Sequence, residues 1–163
     1  LSERFVNYFK HHQMEVDGHR ADVLFRNGLA EAKVKYFDQT LETIVELSKR
    51  HDLYIVTNGV TETQKRRLNQ TPLHKYIKKI FISEETGYQK PNPEFFNYVF
   101  NDIGEDERQH SIIVGDSLTS DILGGINAGI ATCWFNFRGF DHNPGIIPDY
   151  EINSWKQLND IVR

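Results

Sequence analysis

The sequence predicts an α/β fold built on a parallel sheet, and three observations carry that prediction. Four short runs, Leu53 to Val56, Ile80 to Ile82, Ser111 to Val114 and Thr132 to Phe135, are apolar and rich in β-branched or aromatic residues. Such runs are typical of strands covered on both faces. Helical segments separate them, and strand alternating with helix is the pattern of a parallel sheet with crossover helices. Polar residues gather where the runs end, at the carboxyl edge where open α/β sheets hold ligands.

The elements follow in chain order. From Ser2 to about Val34 the apolar positions keep helical spacing, with Phe5, Val6 and Phe9 in one segment and Ala21, Leu24, Phe25, Gly28, Leu29 and Ala32 in the next. This predicts a helical pair. A third helix carries Phe37, Leu41, Ile44 and Val45 on one face, takes Asp38 as its N-cap and ends near His51. Beyond it the four strands begin. Thr61 with Gln64 has the spacing of a capping box, and Ser154 with Gln157 repeats it near the C-terminus. Asn92 followed by Pro93 suits an N-cap and first helical residue. The stretch Lys33 to Asp38 is the expected boundary between the helical pair and the sheet unit. No internal repeat, heptad run or low-complexity segment interrupts this order.

Composition narrows the function classes. With 163 residues and 39% hydrophobic content the chain can bury one ordinary core and a small helical appendage. A net charge of −4 gives no reason to expect a surface for nucleic acid or an anionic membrane. Neither partner is expected. The single cysteine, Cys133, has no internal disulfide partner, and no stretch reaches the roughly 18 apolar residues of a membrane span. The N-terminus has no signal-peptide pattern, so a cytoplasmic location is the expectation.

The residues at the strand ends carry the chemistry. Thr57-Asn58-Gly59 follows the first strand and reads either as a turn or as a loop offering one hydroxyl and backbone N–H groups to a phosphate. Lys90, in Gly87-Tyr88-Gln89-Lys90-Pro91-Asn92-Pro93, has a backbone stiffened by its prolines. Its ammonium is either a surface charge or a fixed counter-ion for phosphate and carboxylates. Asp116 and Asp121 lie in Gly115-Asp116-Ser117-Leu118-Thr119-Ser120-Asp121. Asp121 could serve simply as a helix cap. Asp116 directly follows a strand expected to be buried, where a carboxylate is costly without a cation. Magnesium needs only one or two protein carboxylates, so this sparse set suffices. The seven histidines are scattered and form no zinc spacing with Cys133, which lies in an apolar run and reads as core. Phe135, Phe137 and Phe140 are read as core or as the lining of a base pocket.

Taken in order, Thr57-Asn58-Gly59, Lys90 and the Asp116–Asp121 loop resemble three of the four signature motifs of the haloacid dehalogenase (HAD) superfamily of phosphohydrolases. The resemblance covers about half the chain. It implies a Rossmann-like core with a helical cap, Mg2+ as cofactor, phosphate contacts from Thr57, Asn58, Gly59 and Lys90, and catalytic roles for Lys90, Asp116 and Asp121. Asp116 would hold the metal directly, and Asp121 would orient a metal-bound water or Lys90. The runs Gly115 to Ile122, Gly124 to Gly129, Thr132 to Asn136 and Phe81 to Gly87 look like the pyrimidine 5'-nucleotidase branch. That similarity implies hydrolysis of nucleoside 5'-monophosphates through an aspartyl-phosphate.

The family's first motif, Asp-x-Asp after the first strand, has no match here. Asp17 lies in Glu15-Val16-Asp17-Gly18, with valine at the nucleophile position and no apolar strand before it. The expectation is that residues 1–34 form the rear of the cap and 35–163 an incomplete core lacking its first strand. In the family that strand lies between those ending at Thr57 and Gly115. The chain alone is then expected to be inactive, to bind magnesium weakly, and to pair its open edges directly, with another copy, or with upstream sequence. Three other readings remain: a noncatalytic phosphate-binding module of the same fold, a metal-independent haloacid dehalogenase, and a phosphoryl-accepting receiver domain. The last expects an acid cluster at an early strand, which is absent.

Overall fold

The computed structural model describes residues 3–162. Leu1, Ser2 and Arg163, which fall within the expected boundaries, lie outside the described residues. The elements are α1 (Arg4–His11), α2 (Gly18–Glu31), α3 (Thr40–Leu47), β1 (Tyr54–Thr57), α4 (Thr61–Asn69), β2 (Lys79–Ile82), α5 (Ser83–Thr86), α6 (Pro93–Ile103), β3 (Ile112–Gly115), α7 (Leu123–Ala128), β4 (Ala131–Phe135), β5 (Tyr150–Ile152) and α8 (Leu158–Ile161). A π-type turn over Leu118–Ile122 leads into α7. Every strand pair is parallel, as the alternation predicts. β5 was not expected. Tyr-Glu-Ile is too short and too polar for periodicity to register.

The strands form two ladders, β1-β2 and β3-β4-β5. Among the described residues β1 pairs only with β2 and β3 only with β4 on its own ladder's side, so each has one edge without backbone partners. This alters burial. The expectation that every run is covered on both faces holds for β2, where Phe81 and Ile82 are buried, and for β4, buried from Thr132 to Phe135. It fails for β1, half-buried throughout, and for β3, where only Ile113 is fully buried. A strand missing one neighbour loses the flanking side chains that would shield it.

Alternation sends successive residues to opposite faces. Ile113 joins Phe81, Phe95, Phe96, Val99 and Phe100 in one core cluster, while Ile112 and Val114 pack against Leu47, Cys133, Phe135, Ile152 and Leu158 in another. α6 covers the first face with Phe95, Phe96, Val99 and Phe100 at helical spacing. Asn92 caps it, its side chain accepting the Glu94 N–H at 3.1 Å, and Pro93 follows as expected. α7 approaches the sheet so closely that a Cβ on Gly125 would lie 2.6 Å from Ile113 Cγ2 and 2.7 Å from Thr132 Cγ2.

Three local expectations are corrected. α3 starts at Thr40 after Gln39, whose φ of 61° places Asp38 outside the cap position. Its buried residues are Thr40, Thr43 and Leu47, so the helix is turned away from the predicted stripe, and Phe37 is 47% exposed with one edge on Phe135. Val60, not Thr61, holds the N-cap position of α4, and the Thr61 N–H is taken by Glu84. The Ser154 and Gln157 box is present. Asp17 caps α2, its Oδ1 accepting the His19 and Arg20 N–H groups, each at 3.0 Å. α2 meets α4 through Arg67 Nη1 and Gln70 Nε2, which donate to the carbonyls of Leu29 and Ala30.

Candidate active site

At the carboxyl ends of β1 and β3 a polar cluster crosses the break between the two ladders. Asn58, just past β1, grips the backbone of Lys90 in both directions: its Oδ1 accepts the Lys90 N–H at 2.8 Å and its Nδ2 donates to the Lys90 carbonyl at 2.7 Å. The same amide nitrogen reaches Ser120 Oγ at 3.2 Å. Lys90 is therefore fixed at its backbone. Its Nζ donates to the Val56 carbonyl on β1 and to Asp121 Oδ1 in the loop after β3, each at 2.7 Å. Lys90 is 7% exposed and Asp121 8%, so this is a buried ion pair. An ammonium has three donors, and among the described residues one remains for a ligand.

The loop after β3 is built around Asp121. Its Oδ2 accepts the Ser117 N–H at 3.1 Å, and Ser117 Oγ accepts the Ser120 N–H at 3.2 Å. The N–H groups of Asp121 and Ile122 both turn back to the Ser117 carbonyl. Ser117 thus caps this turn, and the reading of Asp121 as a simple helix cap is overturned. Gly115 makes the packing possible, since a Cβ there would fall 2.4 Å from the Asp121 carboxylate.

Asp116 differs from its expected setting. It is exposed, so the argument from the cost of burying it does not apply; the buried acid is Asp121, and its cation is Lys90. The Asp116 carbonyl accepts a hydrogen bond from Trp134 Nε1 at 3.0 Å, while its carboxylate has no partner among the described residues. Those residues contain no group of three or more His, Cys, Asp or Glu able to surround a metal. The donor set for a metal is one free carboxylate, that of Asp116, with Asp121 engaged on both oxygens. A hard cation that keeps most of its waters and shares phosphate oxygens fits this sparse set.

Thr57 ends β1 opposite Ile82, and the Gly59 carbonyl accepts from Ser83 Oγ at 3.4 Å. Among the described residues neither is hydrogen-bonded to Lys90 or Asp121. Glu84 was not anticipated here. Its Oε2 accepts the Thr61 N–H at 2.7 Å, the first amide of α4, and that bond holds its carboxyl below the ordinary value of 4.5. Glu84 and Thr61 are far apart in sequence, which left no signal. The Ser117-x-x-Ser120 spacing was a legible cue for a side-chain-closed turn. Cys133 is buried, and burial pushes its thiol up to about 11. Phe135 is core, Phe137 packs on Phe37 and Phe135, and Phe140 is 57% exposed. Among the described residues no helix is long and apolar enough to cross a membrane.

The family model of haloacid dehalogenase-like hydrolases matches residues 2–135. The chain is 43% identical over 162 residues to the HAD-hydrolase YfnB of Bacillus subtilis, covering 99% of this chain and 68% of that protein. It is 34% identical over 164 residues to the pyrimidine 5'-nucleotidase PynA of Streptococcus pneumoniae, with the same two coverages. Identity to the pyrimidine 5'-nucleotidase YjjG of Escherichia coli is 42% over 108 residues, 66% of this chain and 48% of the relative. The chain thus spans about half of one relative and about two thirds of the others. The crystal structure of YfnB bound to magnesium superposes with a TM-score of 0.90 at 42% identity, covering 99% of this chain and 71% of that one.

Proposed function

The chain belongs to the haloacid dehalogenase-like hydrolase family, and from that premise we propose that it is a magnesium-dependent phosphatase of nucleoside 5'-monophosphates working through an aspartyl-phosphate. The observation that carries the reading is the Lys90 ammonium, fixed between Val56 and Asp121 with one donor to spare, at the same carboxyl edge of the sheet from which the Asp116 loop leaves β3. A cation so placed neutralises charge that builds on a transferring phosphoryl group. Asn58 sets the Lys90 backbone, and Asp121 keeps the ammonium aimed at the break. The Thr57 hydroxyl and the Asn58 and Gly59 amides are assigned to phosphate oxygens. Asp116 is assigned as the direct magnesium ligand, with Asp121 acting through Lys90 or a bound water. Magnesium held there would supply positive charge against the phosphate oxygens. Two relatives named as pyrimidine 5'-nucleotidases support the choice of substrate.

The attacking aspartate is assigned to a strand seated between β1 and β3. Among the described residues β1 and β3 share no ladder, and on this reading the chain alone binds without turnover and binds magnesium weakly. Where no strand is seated, the open edges are expected to pair with each other or with a second copy. Residues 1–34 are assigned to a cap that excludes water from the intermediate, and 35–163 to the core. A reducing compartment such as the cytoplasm suits the lone buried Cys133. The test is phosphate release from deoxyuridine monophosphate with magnesium, alongside calorimetric titration of the same nucleotide, using protein of verified mass. Binding weakened by Asp116→Asn and by Lys90→Gln, without release, is the expected result. Release abolished by Asp116→Asn would overturn the assignment of the nucleophile. Failure to bind either the nucleotide or inorganic phosphate would overturn the site.

A further inference from the structure

We infer that Trp134 is a positioning residue for Asp116: its indole N–H holds the peptide that aims the proposed metal-binding carboxylate. The inference rests on the reading of Asp116 as a magnesium ligand. One peptide unit links Asp116 to Ser117, and both of its polar groups are held by side chains from different elements. The Asp116 carbonyl accepts from Trp134 Nε1 at 3.0 Å, and the Ser117 N–H donates to Asp121 Oδ2 at 3.1 Å. A peptide gripped at both ends cannot rotate without breaking one bond, so ψ of Asp116 is restrained, and with it the direction of the Cα–Cβ bond from which its otherwise unpartnered carboxylate projects. Trp134 pairs in register with Gly115, the residue just before Asp116, which brings the indole to the loop.

The indole is itself well anchored. Trp134 is 1% exposed, clusters with Ile122 and Ile146, and carries the His142 ring on its edge, with centroids 5.6 Å apart. His142 Nε2 lies 3.0 Å from Glu151 Oε2, and Glu151 Oε1 accepts from Asn136 Nδ2. Pairing of a buried indole is not automatic here. Trp155, the chain's other tryptophan, has a buried Nε1 with no partner among the described residues. A partner that orients a metal ligand typically changes metal affinity by about 10–100-fold when removed.

The experiment compares wild type, Trp134→Phe and Ile146→Val by magnesium titration calorimetry and by amide exchange at Ser117. Trp134→Phe removes the donor and keeps an aromatic ring, whereas Ile146→Val loosens the same packing and keeps the donor. The expected result is magnesium affinity lower by about tenfold in Trp134→Phe, faster exchange at Ser117, and both unchanged in Ile146→Val. Equal losses in the two variants, or none in Trp134→Phe, would overturn the inference. If magnesium binding survives Asp116→Asn, the metal reading fails, and exchange at Ser117 then decides the positioning role alone. If Trp134→Phe does not fold, the wild-type indole N–H resonances decide. A shift of Trp134 but not Trp155 on adding magnesium is expected, and no shift despite Asp116-dependent binding would overturn the inference.

Discussion

Replacing Lys90 with methionine removes the charge while keeping most of the side-chain volume, and the structure sets the consequence. Two bonds of 2.7 Å disappear, one to the Val56 carbonyl and one to Asp121 Oδ1. Asp121 is left 8% exposed with the Ser117 N–H as its remaining donor. Removing one member of a buried ion pair costs about 3–5 kcal/mol, because the other charge stays desolvated. That is a large part of the roughly 5–15 kcal/mol that holds a domain folded. In urea, with a slope of about 2 kcal/mol/M, the midpoint should fall by about 1.5–2.5 M. Asp121→Asn is the natural partner change, since the crowding at Gly115 leaves no room for a larger group. The double variant Lys90→Met/Asp121→Asn carries no stranded charge, so its cost should fall short of the summed single costs by about 1–3 kcal/mol. A Lys90→Met shift below about 0.5 M at unchanged slope, together with strictly additive costs, would refute the claim that this pair is a buried, mutually dependent unit.

Other outcomes follow from the same geometry. Gly115→Ala should cost about 1–3 kcal/mol in urea unfolding, because its Cβ would meet the Asp121 carboxylate at 2.4 Å. Glu84 is held below its ordinary value by the Thr61 N–H, so its contribution is complete above the usual carboxylate range and disappears as pH falls through the lowered folded value. Thermal midpoints of wild type and Glu84→Gln should therefore differ at neutral pH and converge in acid; a gap that persists in acid would contradict this. Cys133, with its thiol pushed up to about 11 by burial, should resist iodoacetamide in neutral buffer and react once urea unfolds the chain, as intact mass will register.

Much of the fold was legible because its signals are local. The strands at Tyr54, Lys79, Ile112 and Ala131 announce themselves as β-branched runs, and Asn92-Pro93 marks the start of α6 through the chemistry of those two residues alone. β5 was invisible because its pairing with β4, not its composition, makes it a strand. The turned face of α3 had a similar cause: Leu47 is buried against Cys133 and Phe135, distant residues that the helical period cannot reveal. For the candidate site, sequence singled out Asn58, Lys90 and Asp121 but not their bonds. It also placed the burial on the wrong acid. Asp116 and Asp121 both follow an apolar run, and only the π-type turn, which swings Asp121 back toward Ser117 and Lys90, separates an exposed carboxylate from a buried one.

The break between the ladders gives that buried pair a second consequence. β1 and β3 share no backbone bonds, so other contacts must hold the two halves together. One set is apolar: a single cluster joins Phe81 of β2 and Ile113 of β3 to Phe95, Phe96, Val99 and Phe100 of α6, with Tyr54 and Val56 of β1 packed against it. The other is polar and lies at the carboxyl edge, where Lys90 bonds to Val56 on one side and Asp121 on the other, and Asn58 reaches Ser120. Apolar packing tolerates small displacements, whereas a charge-assisted bond weakens steeply with distance and angle. The edge spacing of β1 and β3 is therefore tied to Lys90 as well as to α6. Loss of the ammonium should disturb the spacing of the candidate site as well as its charge, so even a folded Lys90→Met chain should bind phosphate worse than the missing charge alone would dictate.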